Sequence, residues 1–302
     1  MSRKGQIRLV EKVGHGATAT VWAAHHAGLD RTVAVKRVSA RRLEQRPDEG
    51  MRLAREAWIG ARLRSPHAVR VVAHARRPEA RYLVMEWLEG ETLEARLSRE
   101  RHLELEDVAE LVRQVAALLS EAHGLGIVHH DIKPANLFMM AGAGRPFVKV
   151  LDFGIASLRS DPPTATRVLG SPLYMSPERF EGVAESDPRA DLWSLAVVAY
   201  RALTGVHPFI GKSLADVAIA VRDGGAVPPS RHRPELPQAV DVWFARAFAR
   251  DVACRFQTPA SCSASFAQAA SVDDEVTAIA IDVDWIPPGA FPTRASVATM
   301  GG

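Results

Sequence analysis

His129-His130-Asp131-Ile132-Lys133-Pro134-Ala135-Asn136 is the stretch on which the reading of this chain turns. A long amphipathic segment precedes it, and the short apolar run Leu137-Phe138-Met139-Met140 leads out of it. Within it an acid, a lysine two residues later and an amide three residues after that share one irregular loop. The set suits transfer of a charged group: a carboxylate to accept a proton, an ammonium to steady negative charge, an amide oxygen for a metal. Taken alone it reads equally as a solvated turn capped by Pro134. Farther on, the apolar run Val148-Lys149-Val150-Leu151-Asp152-Phe153-Gly154 delivers Asp152 next to a permissive glycine. Asn136 and Asp152 offer oxygen ligands to a hard cation such as magnesium, which carries bound phosphates.

These two stretches, in this order and at this spacing, resemble the catalytic loop and the Asp-Phe-Gly motif of the bacterial eukaryotic-like (Hanks-type) serine/threonine protein kinases. The resemblance implies an α+β, bilobal kinase-like fold, with a small β-rich lobe and a larger helical one. It also implies ATP- and magnesium-dependent phosphorylation of Ser/Thr hydroxyls on proteins, with autophosphorylation, in a signalling role. Carried over residue by residue, Asp131 orients the acceptor hydroxyl and takes its proton, and Lys133 steadies the transferring phosphoryl group. Asn136 and Asp152 hold magnesium, and Lys36, fixed by Glu56, grips the α and β phosphates. A lysine two residues after the catalytic acid is the family's serine/threonine form.

Upstream, Ile7 to Val38 reads as strands, with Val21-Trp22-Ala23-Ala24 and Thr32 to Val38 rich in β-branched residues between turn signals. Between the first two strands lies Val13-Gly14-His15-Gly16-Ala17-Thr18-Ala19-Thr20-Val21. Its glycines let backbone N–H groups approach phosphate oxygens, though two glycines alone also make a plain hairpin turn. In the family this is the nucleotide-covering loop, with a third glycine where this chain has Ala19. Val33-Ala34-Val35-Lys36 resembles the family's ATP-lysine strand, with Ala34 and Lys36 as nucleotide contacts. A lysine ending an apolar strand needs a partner. The family supplies it from the next helix, expected over residues 51–64, as Glu56. One turn after Glu56 the family has an apolar residue and this chain has Gly60, a change expected to loosen the helix. Strands over 69–75 and 81–86 lead to Tyr82-Leu83-Val84-Met85-Glu86-Trp87-Leu88-Glu89-Gly90. This passage resembles the hinge, in which Met85 flanks the adenine and the backbone around Glu86 and Leu88 hydrogen-bonds the base. Composition changes from strand-rich before residue 86 to helix-rich after 91, which puts the lobes at 7–86 and 87–270.

Apolar residues at Leu105, Val108, Val112, Val115, Leu119 and Ala122 predict one buried helix face ending at Gly124 and Gly126. Past Gly154, a hydroxyl-rich stretch with Ser157, Ser160, Thr164 and Thr166 runs into Gly170-Ser171-Pro172-Leu173-Tyr174-Met175-Ser176-Pro177-Glu178. It is similar to the family's activation segment and closing Ala-Pro-Glu motif, with Ser171 for the usual Thr and Ser176 for Ala. Asp187-Pro188 reads as the start of a helix apolar nearly all round, and so buried. The family implies that its Asp191 braces the catalytic loop and that Arg255 pairs with Glu178. At position 130 most family members carry an arginine that clamps a phosphorylated activation loop; His130 is shorter and mostly neutral at pH 7. Further helices are expected over 213–223, 238–249 and 261–270. A kinase fold without chemistry would lack Lys36, Asp131 or Asp152, and none is missing. A small-molecule phosphotransferase would lack the peptide-docking segment at 170–178.

The chain has 302 residues, 47% hydrophobic and 24% charged, which suits an ordinary soluble globular protein. Of 38 basic residues 6 are lysine, so the basicity is dispersed arginine and no nucleic-acid partner is expected. That scarcity makes Lys36 and Lys133 stand out. Cys254 and Cys262 have neither zinc-site nor disulfide spacing, which suits a reducing cytoplasm. No apolar core follows the charges near Met1, and no run of about 18 apolar residues occurs, so neither a secretory signal nor a membrane span is expected. After Ser271 five acidic residues face Arg294 alone, making 271–302 an acidic tail. Period-two alternation over 276–285 predicts a strand there, docked on the basic body.

Overall fold

In the third strand of the chain, alternate residues face opposite ways, and this alternation decides what becomes core and what becomes site. A computed structural model describes residues 6–15, 19–142, 144–158, 171–181 and 187–271. Strands β1 (Ile7–His15), β2 (Thr20–His26), β3 (Arg31–Ser39), β4 (Val71–Arg77) and β5 (Ala80–Glu86) form one antiparallel sheet in the order β1-β2-β3-β5-β4. On β3, Val33 and Val35 pack with Ala24 and Val84 on one face. Ala34, Lys36 and Val38 point the other way, where Val38 and Ala34 join Ala19, Leu83 and Met85. That second face is the roof of the cleft described below.

Two helices follow β3. The first, α1 (Ala40–Gln45), was not expected; Ser39 caps it by accepting a bond from the Arg42 N–H. The second, α2 (Asp48–Gly60), starts and ends earlier than the residues 51–64 expected for it. Pro47 with Asp48 and Glu49 sets the start, since acids suit the positive end of a helix. Leu53 and Ala57 bury against the sheet with Val38, Val69 and Leu83. The loosening expected at Gly60 has no structural counterpart, because a Cβ there would lie 2.4 Å from Val71 Cγ2. β4 already fills that space, and only glycine leaves room for it.

Beyond the sheet come β6 (Gly90–Thr92), α3 (Leu93–Glu100), α4 (Leu105–Gly124), β7 (Ile127–Val128), β8 (Leu137–Met140), β9 (Val148–Val150) and β10 (Ser157–Leu158). β6, β8 and β9 make a three-stranded sheet and β7 pairs with β10. The periodicity of α4 is realised: Val108, Val112, Val115, Leu119 and Ala122 are fully buried, while Leu105 is half-buried. Then follow α5 (Pro177–Phe180), α6 (Arg189–Thr204), α7 (Leu214–Asp223), α8 (Gln238–Ala247) and α9 (Pro259–Ala270). α6 begins after Pro188, with Asp187 Oδ1 accepting from the Arg189 N–H, and is buried from Ala190 to Tyr200 without a break. It packs against α4 and α8, and α4 in turn packs against α9. The strand expected over 276–285 lies outside the described residues, as do Gly16 to Thr18 and residues 159–170.

Arg255 sits in this helical core, with its side chain 1% exposed. Its guanidinium fork grips both carboxylate oxygens of Glu178 at 3.0 and 2.9 Å and donates to the Ala249 carbonyl at 2.7 Å. Breaking such a pair leaves a buried charge without its counterion, which costs about 3–5 kcal/mol. Arg255→Leu is therefore expected to lower the urea-unfolding free energy by about that amount, with Arg255→Leu/Glu178→Leu recovering part of it. A loss below about 1 kcal/mol in the single variant would contradict this account of the pair.

Candidate active site

Strand alternation and one tight loop bring the charged residues to the floor and back wall of a single cleft. The cleft measures about 440 Å³. Val13 from β1, Val21 from β2, Ala34 and Lys36 from β3, and Met85 from β5 line its sheet side. Glu86, Trp87, Leu88 and Gly90 line the connection to the helical part, with Asn136, Phe138, Leu151 and Asp152 below. One end is apolar and suits a flat ring, whereas the other gathers Lys36, Glu56, Asn136 and Asp152.

Lys36 is the hub of the charged end. Its Nζ lies 2.8 Å from Glu56 Oε2 and 2.9 Å from Asp152 Oδ1. Burial works against the ammonium, but the two carboxylates outweigh it and raise its pKa. Glu56 feels burial most strongly and is pushed up to about 7 against the pull of Lys36. For Asp152, burial is again opposed by Lys36, which holds the carboxyl below its ordinary value. The Asp152 side chain keeps 41% of its surface exposed, so it can still take a cation from the cleft. α2 is also tied to the segment beyond Gly154, since Arg55 Nη1 donates to the Ala156 carbonyl at 3.1 Å. Gly154 is required here: a Cβ would stand 2.8 Å from Asp152 Oδ1, whose bond from the Gly154 N–H is 3.0 Å.

The loop 129–136 is held from beneath by α6. Asp191, fully buried, accepts from the backbone N–H groups of His129 and His130, each at 2.8 Å, and from His123 Nε2 at 2.9 Å. His130 adopts φ +66° and Asp152 φ +58°, left-handed conformations that cost about 1–3 kcal/mol and persist where neighbours over-determine them. For His130 those neighbours include Asp191, Arg179, whose Nη1 donates to its carbonyl at 2.8 Å, and Ser157, whose hydroxyl lies 2.6 Å from its Nε2. Burial pushes the His130 imidazole down to about 4. His129 Nδ1 accepts from the Asp131 N–H at 3.2 Å, so its proton sits on Nε2, which faces the Leu151 carbonyl.

Asp131 emerges from this brace with its carboxylate between three side chains. Lys133 Nζ is 2.7 Å from Oδ2, Asn136 Nδ2 donates to Oδ2 at 2.9 Å, and the Ser171 hydroxyl is 3.4 Å from Oδ1. Lys133 also donates to Ser171 Oγ at 2.9 Å. Because Asn136 spends its NH₂ on Asp131, its carbonyl oxygen is the atom left to face the cleft it shares with Asp152. A carboxylate and an amide oxygen are hard donors that suit magnesium, which takes one or two protein oxygens and fills its shell with phosphate and water.

Of the residues the sequence put forward, Val13, Ala19, Val21, Ala34, Lys36, Glu56, Met85, Glu86, Leu88, Asn136 and Asp152 share this cleft. Asp131 and Lys133 line the adjoining hollow, which also contains Lys36, Asn136 and Asp152. Gly14 pairs across β1 and β2 with Val21 and is not among the lining residues; the His15 backbone pairs with Thr20, and Gly16, Ala17 and Thr18 are outside the described residues. Thr20 bonds its hydroxyl to the Arg37 carbonyl and the Trp22 indole rather than to the cleft. The Glu86 N–H is taken by the Arg70 carbonyl and its carboxylate by Lys149, so its own carbonyl is what it can offer a ligand. Sequence reasoning missed Val69, Trp87, Gly90, Phe138 and Leu151 as lining, and His123 as a third support of Asp191. An apolar residue beside a charged motif is the signal for Phe138 and Leu151; His123 had none.

The family described as Protein kinase domain matches residues 7–241. The serine/threonine-protein kinase pkn3 of Myxococcus xanthus is similar at 35% identity, covering 89% of this chain and 50% of that protein. Pkn1 of the same organism is 35% identical over 86% of this chain and 37% of its own length. PknE of Mycobacterium bovis, also a serine/threonine-protein kinase, is 33% identical over 90% and 47%. The chain thus spans half or less of the length of these relatives.

Proposed function

Because this chain belongs to the protein kinase domain family, we propose that it transfers the γ-phosphoryl group of ATP to serine and threonine hydroxyls of proteins, itself included. The observation that carries the proposal is the pairing of Lys36 with both Glu56 and Asp152, one cation held where nucleotide phosphates would arrive. We assign residues 7–86 and 87–270 as the two lobes and 271–302 as a tail. The apolar end of the cleft takes the adenine between Ala34, Met85 and Leu151, with the backbone near Glu86 and Leu88 reading its edge. Lys36 holds the α and β phosphates. Asn136 and Asp152 would hold magnesium, which supplies charge neutralisation for the phosphates when bound. Asp131 orients the acceptor hydroxyl and takes its proton, and Lys133 lies where charge builds on the transferring group. The free thiols of Cys254 and Cys262 suit a reducing cytoplasm, and no described helix is long and apolar enough to cross a membrane.

Incubating the purified chain with ATP labelled at the γ-phosphate, a generic basic protein and a set of small-molecule alcohols tests the acceptor class. Label is expected on the protein; label on the alcohols alone would overturn the reading.

His130 adds a regulatory expectation. Buried, neutral near pH 7 and bonded to Ser157, it is a poor clamp for a phosphorylated loop. Activity is therefore expected to change by less than about threefold when phosphatase strips the chain. Loss of nearly all activity, restored by autophosphorylation, would contradict this.

A further inference from the structure

One charged cluster lies outside the phosphate end of the cleft and has no part in the chemistry above. Arg201, on the last turn of α6, donates from Nη1 and Nη2 to the two carboxylate oxygens of Glu94, each at 2.7 Å. The same Nη1 donates to the Tyr174 hydroxyl, also at 2.7 Å. Glu94 stands in the first turn of α3, just beyond Trp87, Leu88 and Gly90 of the cleft wall. Tyr174 is 7% exposed, with its ring edge against His207 at 5.3 Å between centroids. Its carbonyl accepts from Ser194 Oγ of α6 at 2.7 Å.

Tyr174 closes a single turn that begins at Ser171, whose carbonyl accepts from the Tyr174 N–H at 2.9 Å. Ser171 is the residue whose hydroxyl touches both Lys133 and Asp131. One end of this turn is therefore pinned to the catalytic loop and the other to α6 and α3. Resting on the protein-kinase reading, we infer that Arg201, clamped by Glu94, is a positioning residue for the acceptor side of the site. It fixes Tyr174, and through the Ser171–Tyr174 turn it sets where an acceptor hydroxyl meets Asp131. A planar, bidentate fork does this with little freedom, which a lysine in its place would not match. The nucleotide end of the cleft shares none of these bonds, so the effect falls on the acceptor alone.

The test compares Arg201→Gln, Tyr174→Phe and the charge swap Arg201→Glu/Glu94→Arg in the full chain. Arg201→Gln is expected to lower kcat/KM for a protein acceptor by about tenfold to a hundredfold, and Tyr174→Phe by less. Affinity for a fluorescent ATP analogue stays unchanged in both. The charge swap, in which the Tyr174 hydroxyl donates to the new carboxylate, recovers acceptor kinetics. Wild-type acceptor kinetics in Arg201→Gln would overturn the inference. So would an equal loss of nucleotide affinity, which marks a merely structural role. Should Arg201→Gln fail to fold, Tyr174→Phe, which keeps the ring and deletes one bond, decides by the same readouts. Hydrogen exchange separates this inference from the kinase reading, because it needs no activity. Faster exchange of the Tyr174 and Met175 amides in the variants, with β3 and β5 unchanged, supports the pin; unchanged exchange at those amides overturns it. A wild-type chain that labels no protein counts against the kinase reading instead.

Discussion

Asp131→Asn will reduce phosphotransfer to protein by about 10²–10⁴-fold while leaving nucleotide affinity and the fold as they are. The substitution exchanges one side-chain oxygen for an NH₂ of nearly the same size. Asn136 still reaches the backbone carbonyl of residue 131, and Asp191 still holds the N–H groups of His129 and His130. What disappears is the proposed proton acceptor and the negative charge that Lys133 faces at 2.7 Å. Steady-state kinetics with a fluorescent-nucleotide titration separate the two effects. A variant with more than about a tenth of wild-type turnover would remove Asp131 from the role of base.

Lys36→Met is expected to cost at least about a hundredfold in kcat/KM, through loss of a cation that faces the charged end of the cleft, where the phosphates are proposed to bind. The fold should survive, for a reason found in the neighbouring acid. Burial already pushes Glu56 up to about 7, and removing Lys36 takes away the charge that pulls it down. Glu56 then takes up a proton near neutral pH and leaves no unpaired buried charge. The sign has a further consequence: a carboxyl raised in the folded state favours the protein below its unfolded pKa, and that contribution fades as pH rises through the folded value. Lys36→Met should therefore lose stability relative to the parent more at pH 8 than at pH 6, as read from urea midpoints. Near-normal autophosphorylation, or equal destabilisation at both pH values, would contradict this view of the cluster.

Much of this was legible because local pattern and tertiary role coincide. β3 alternates cleanly, so Ala34 and Lys36 necessarily share a face, and the spacing of α4 gives its buried stripe directly. The acid, lysine and amide of the loop 131–136 are close in sequence, and a short loop keeps them close in space. Residues brought in by distant segments were not legible. Val69 precedes β4, while Phe138 and Leu151 sit on or beside β8 and β9, and only the packed fold puts them under one cleft. His123 is indistinguishable on paper from any histidine near a helix end, since its partner is an aspartate on another helix. Gly60 shows the converse error: a missing side chain looks like a void until a neighbour, Val71, is seen to fill it. The Glu94–Arg201–Tyr174 cluster joins three elements far apart in sequence, and no local rule could assemble it.

Phosphoamino-acid analysis shows whether Asp131 drives transfer to serine and threonine. The wild-type chain and Asp131→Asn are incubated with magnesium, γ-labelled ATP and a basic protein, and the protein is then hydrolysed and its label assigned. Phosphoserine and phosphothreonine are expected with the wild type and almost none with Asp131→Asn. Label confined to tyrosine, no label on protein, or undiminished label with Asp131→Asn would contradict this.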